Sequence, residues 1–124
     1  MTGIGMKAKI SKEPRIFDVI HGKKIKKIKD YGKILLGKDE LVTINLGENC
    51  DVDIVATEWG CYPMPSIGHR LLAQGLRCAF VENKEKKRYL LLVKHDKQNI
   101  FRKYINDGEY RLIFWLDEAS FASL

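Results

Sequence analysis

Between Asp51 and Asp117 the hydrophobic pattern changes period in a fixed order: strand, helix, strand, strand, helix, strand. No other feature of the chain constrains its fold as much. Val52 to Trp59 alternates, with Val52, Ile54 and Ala56 on one face and Asp53, Val55, Thr57 and Trp59 on the other. A helix is expected over about 67–76, entered through Ser66 as N-cap and with Ile67, Leu71, Leu72 and Leu76 on one face. Arg77 to Glu82 and Arg88 to Lys94 are apolar, and the charged run Asn83 to Lys87 joins them as a hairpin. Asp96 is placed to cap a second helix whose apolar face is Ile100, Phe101, Tyr104 and Ile105. Asn106-Asp107-Gly108 ends it, Gly108 being suited to the left-handed position after a helix. Tyr110 to Leu116 is the last strand.

That order is the ferredoxin-like split βαβ topology, so the expected class is α+β with this unit over about 51–117. Upstream, Gly22, Gly32, Gly37 and Gly47 punctuate short apolar runs, and residues 14–47 read as a β meander. With 124 residues, 45% hydrophobic and 31% charged, the chain reads as one globular domain. Both faces of the C-terminal strands are apolar. The last strand sets Tyr110, Leu112, Phe114 and Leu116 against Ile113 and Trp115. The third sets Leu90 and Leu92 against Tyr89, Leu91 and Val93. A sheet apolar on both sides needs both covered, by the meander or by a second subunit, so a homodimer is expected with Trp115 buried.

The net charge of +6 is unevenly placed. Residues 1–38 hold 11 Lys and Arg against three acids, and the remainder is weakly acidic. Such a basic segment is a candidate footprint for nucleic acid, through Lys23, Lys24, Lys26, Lys27, Lys29 and Lys33. Tyr31 is the one aromatic in the lysine run, so base stacking is not the expected mode. No stretch approaches the roughly 20 apolar residues of a membrane helix. Met1 to Ile10 has no signal-peptide core, and three cysteines make an odd count, so a cytoplasmic, reducing location is expected.

The segment from Thr57 to Arg70 is the most unusual in composition. It joins a strand end to a helix start, where free backbone N–H groups favour anions. His69 and Arg70 would sit in the first helical turn, against the helix dipole, unless an anion or Glu58 offset them. The expected ligand-binding set is Glu58, Trp59, Tyr62, Ser66, His69 and Arg70, with the two aromatics as walls. Effector-binding domains of the ACT type use the same strand-to-helix loop, a similarity of topology.

Other constellations are weaker. Glu82-Asn83-Lys84 has the E-x-K spacing of restriction-type nucleases, with Asp51 and Asp53 upstream. Cys50, Cys61, Cys78 and His69 lack the close pairs of a zinc site, and no metal or cofactor is expected. Cys61 with His69 as base would be a nucleophile, but nothing orients the pair. His21 and His95 fall near turns and are expected at the surface. The leading expectation is a non-catalytic small-ligand- or protein-binding regulatory domain. Nucleic-acid binding through residues 23–38 is the first alternative, and a small enzyme built on the 57–70 loop is the second.

Overall fold

The computed structural model describes residues 7–63, 66, 67 and 69–117. They form a mixed α and β fold rich in strands, with eight strands in three small sheets. Two compact units divide the chain: Met1–Ile44 with Asp53–Pro63, and Asn45–Val52 with Met64–Leu124.

In the first unit, β1 (Lys7–His21) and β2 (Lys24–Leu35) make a long antiparallel ribbon. The meander expected over 14–47 is therefore a long hairpin that begins upstream of it, followed by a separate strand, Leu41–Asn45, that belongs to another sheet. The turn is the two residues Gly22-Lys23, and of these only Gly22 has a positive φ, 62°. A glycine at the first loop position is the type II′ pattern, whose twist matches that of paired strands. Pairing runs from His21↔Lys24 to Arg15↔Asp30, then resumes at Ile10↔Gly32. Residues 11–14 thus bulge out against Tyr31 alone, and Pro14, which has no N–H, sits where the ladder needs none. Gly32 has φ 144°, and a Cβ there would lie 1.8 Å from the Lys9 carbonyl oxygen, so no other residue fits.

β4 (Asp51–Ala56) pairs with β3 (Leu41–Asn45) on one side and with the short β5 (Cys61–Pro63) on the other. This corrects the ferredoxin-like expectation: the strand beginning near Asp51 does not join the C-terminal sheet. It turns back through a tight loop into β5, and this hairpin occupies the edge that a crossover would have left for a later strand.

In the second unit, β6 (Leu76–Glu82), β7 (Arg88–Lys94) and β8 (Arg111–Trp115) lie in the order β7-β6-β8, all antiparallel. Both strands of the expected hairpin form, as does the final strand. The second helix, α2 (Gln98–Asp107), follows a 3-10 turn at His95–Lys97, and Asp96 makes no side-chain cap at its start. Phe101 and Ile105 of α2 pack on Ala79, Val81, Val93 and Trp115, with the Phe101 and Trp115 rings 5.6 Å apart. Gly108 keeps right-handed backbone, and Glu109 takes the left-handed position instead, at φ 59°. The Tyr110 N–H then closes the helix onto the Ile105 carbonyl at 2.8 Å.

The first helix is far shorter than expected. α1 is the single turn Arg70–Ala73, ended by Gly75 at φ 83°. A turn this short gains little from hydrogen bonding; the burial of Leu71 anchors it. The face assignment of β8 also changes. Phe80 pairs with Phe114 but Val81 pairs with Leu112, so Ile113 is an inserted residue. The bulge moves Leu112 and Tyr110 to the side of Trp115, where they pack on the core, and leaves Phe114 beside Phe80 on the other face.

Candidate functional site

The residues expected to form an anion pocket are assigned to two units. Glu58, Trp59 and Tyr62 belong to the first unit; Ser66, His69 and Arg70 belong to the second. Thr57 and Gly60 close the β4–β5 loop, the Gly60 carbonyl accepting from the Thr57 N–H (2.7 Å) and hydroxyl (2.9 Å). Glu58 and Trp59 therefore stand at a hairpin tip. Glu58 pairs with Lys38 at 3.1 Å. Trp59 is 77% exposed and stacks on Tyr62, ring centres 6.4 Å apart, as an open platform. Ser66 does receive the Arg70 N–H on its hydroxyl, at 3.0 Å. With one turn of helix behind it, however, that end lacks the aligned dipoles on which an anion site would depend. Met64, Pro65 and Gly68 of this loop lie outside the described residues.

The lysines fare differently. Lys24, Lys26, Lys27, Lys29 and Lys33 all stand on β2, and Lys23 is in the turn. Cross-strand pairing sorts the ribbon into two faces. One carries Arg15, Phe17, Val19 and His21 with Lys24, Lys26, Ile28 and Asp30. The other carries Ile16, Asp18 and Ile20 with Ile25, Lys27 and Lys29. His21 is buried, 4% exposed, against the expectation of a surface residue; its place beside a turn says nothing of what packs on it. On the second face Ile16, Ile20 and Ile25 are well exposed. Two ion pairs hold the ribbon in register, Arg15–Asp30 at 3.1 Å and Lys27–Asp18 at 3.0 Å. The Asp30 carboxyl is pulled below its usual range, first by the Gly32 N–H and then by Arg15. From Lys7 to Leu35 the segment holds ten Lys and Arg against three acids.

The remaining constellations resolve into structure. Asp51 accepts from the Asn45 amide at 2.7 Å and Asp53 from the Thr43 hydroxyl at 2.8 Å, across the β3–β4 pair. In the E-x-K sequence, Lys84 pairs with Glu109 at 2.6 Å. Glu82, whose side chain is 6% exposed, receives Arg88 Nε at 3.1 Å and Arg111 at 3.4 Å, with Lys86 at 3.7 Å. Arg88 first, then Arg111, hold its carboxyl below the usual range despite burial. Among the described residues no three His, Cys, Asp or Glu side chains are grouped to hold a metal ion. Cys50 and Cys78 are buried and Cys61 is exposed; burial raises the Cys78 thiol pKa.

Two features had no signal in local pattern. Arg77, Asp117 and Gln98 join the ends of β6, β8 and α2 through a shared guanidinium. A pocket of about 380 Å³ lies among Glu48, Cys50, Gly75, Lys94, Asp96 and Lys97, where Gly75 approaches the Asn49 carbonyl too closely for a larger residue to sit freely. Residues far apart in sequence make both.

No family model, no curated protein and no solved structure matches this chain.

Proposed function

We propose that the protein is a non-catalytic nucleic-acid-binding protein that grips phosphates with its β1–β2 ribbon. One observation carries this: the charge excess of the chain is concentrated on a two-stranded ribbon that stands largely in solvent. Lysines on both faces of β2 can approach phosphates from either side. A two-stranded ribbon also has the cross-section that the major groove of B-form DNA admits. Contacts of this kind position a protein without reading sequence. Binding to duplex DNA or RNA should be measurable at about 50 mM salt and should fall steeply as salt rises. Joint replacement of Lys23, Lys24, Lys26 and Lys27 by Glu should abolish it while leaving the second unit folded. Absence of any retention by either nucleic acid at that salt would end this reading.

A second reading rests on Ile16, Ile20 and Ile25. An isolated two-stranded ribbon is marginal in water, and exposed apolar side chains along it favour a protein cover. In this reading the ribbon joins two copies of the chain. Light scattering at micromolar concentration would then report a dimer that Ile20→Lys with Ile25→Lys disperses, and a monomer at all concentrations would exclude it.

A further inference from the structure

β7 is an edge strand: among the described residues it pairs with β6 alone, and without any register shift. The bonds at the two ends of the β6–β7 hairpin establish which of its backbone groups face outward. The Asn83 N–H donates to the Lys87 carbonyl and the His95 N–H to the Gly75 carbonyl, each at 2.9 Å. Bonded and non-bonded pairs alternate along an antiparallel ladder. Tyr89, Leu91 and Val93 therefore bond inward to β6, and Arg88, Leu90, Leu92 and Lys94 turn their N–H and C=O groups away from it. Between Tyr89 and Val93 there is no proline, charge or bulge to blunt that edge.

Beside the edge runs an apolar groove of about 310 Å³, walled by Leu91 and Val93 of β7 and by Ile100, Phe101 and Tyr104 of α2. Leu90 is 63% exposed and Ile100 65%, although helix periodicity placed Ile100 on the buried face. The flanks carry an excess of cations: Lys86, Lys87 and Arg88 at one end, where Glu82 is shared by Lys86 and Arg88 and Glu85 pairs with Lys87, and Lys94 and Lys97 at the other.

The geometry points to strand addition at β7 by an extended segment of another protein, apolar at alternate positions and acidic at both ends. Outward groups of Leu90 and Leu92 supply backbone bonds to such a strand, and the groove takes its apolar side chains. Arg88 and Lys94 at the two ends of β7 select for acidic flanks. A second copy of the chain fits less well. Antiparallel self-pairing about Leu91 would set Arg88 of each copy opposite Lys94 of the other, like charge on like. This surface shares no residue with the β1–β2 ribbon and does not depend on that reading.

The test uses the full chain and two synthetic peptides, each alternating valine and threonine, one with glutamate ends and one with lysine ends. The glutamate peptide should bind, and should slow hydrogen exchange at the Leu90 and Leu92 amides. The lysine peptide should bind at least about tenfold more weakly. Leu90→Pro removes an N–H that bonds nothing in β6, at an exposed position, so it should spare the fold and cost about tenfold or more in affinity. Ile100→Asp, on the exposed side of α2, should do the same and serves if the proline variant does not fold. Failure of the glutamate peptide to bind, equal binding of both, or unchanged binding by the two variants would overturn the proposal. Self-association that Leu90→Pro abolishes would overturn it too, by showing a second copy at the edge.

Discussion

Arg77 and Asp117 meet as a two-pronged ion pair, Nε to Oδ2 at 3.0 Å and Nη2 to Oδ1 at 2.9 Å, where β6 begins and just after β8 ends. The same guanidinium donates to Gln98 of α2 at 3.0 Å and lies 3.9 Å over the Trp115 ring. One side chain thus ties two strands, the helix and the core aromatic together. A planar, forked cation can do all of this at once, whereas an ammonium group cannot.

Arg77→Ala should therefore be among the most damaging single changes. It strands a carboxylate that is largely shielded from water, at a cost of about 3 kcal/mol. Arg77→Lys keeps the charge but loses the fork and the ring contact, so its loss should be smaller and still measurable. Urea unfolding followed by Trp115 fluorescence would rank the two. Equal stability of Arg77→Ala and the parent would refute the role assigned to the pair.

The pair also sets a pH response. Arg77, ahead of other influences, holds the Asp117 carboxyl below its usual range. A carboxyl whose folded pKa is depressed stabilises the fold fully above its unfolded value, about 3.9, and loses that contribution as pH falls through the folded value. Stability should thus decline below about pH 4. Asp117→Asn should lose part of that decline, leaving the share due to Glu82 and Asp30, which are shifted the same way. Thermal melts between about pH 2 and 6 would separate the variants.

The two tryptophans should be distinguishable in solution. Trp115 is 7% exposed and Trp59 is 77% exposed. Iodide should quench the Trp59 fraction of the emission and leave the rest, and Trp59→Phe should make the protein nearly unquenchable. Strong quenching in Trp59→Phe would place Trp115 in solvent, against the packing described for β8.

The thiols give a parallel check. Cys61 is exposed, whereas Cys50 and Cys78 are buried. A disulfide reagent should modify Cys61 rapidly in the native protein and the other two only on unfolding. Cys61→Ser should remove the rapid phase; a rapid phase that persists would contradict the buried positions.

Gly32→Ala should break the ribbon without unfolding the second unit. The added Cβ would overlap the Lys9 carbonyl, and the φ of 144° is closed to alanine. Amide exchange across Lys7–Ile10 and Lys33–Leu35 should quicken, while β6 amides stay protected. Unchanged protection of both ribbon segments would disprove the close approach.

The sequence by itself determined the elements whose signal is local. Periodicity marked β6, β7, β8 and α2, because each carries a run or face of apolar residues and a charged or glycine-bearing turn bounds it. It also marked where the positive charge lies, since charge is additive along a chain. It did not mark β1 as far back as Lys7, because residues 11–14 interrupt the alternation and Lys7 to Ile10 pair only by virtue of β2. Nor could it place β4: a strand's period says that it pairs, not with which neighbour. Only the tertiary structure decided that β4 closes on β3 and β5, and that α1 shrinks to the turn that buries Leu71. It also decided that an inserted Ile113 moves Leu112 to the core side. For that same reason spacing could not show that Glu58 and Arg70, near in sequence, belong to different units. The Arg77–Asp117 pair, forty residues apart, was invisible for the converse one. Backbone propensity acts over a few residues, whereas pairing, bulges and buried charge are settled by contacts between segments that local pattern does not connect.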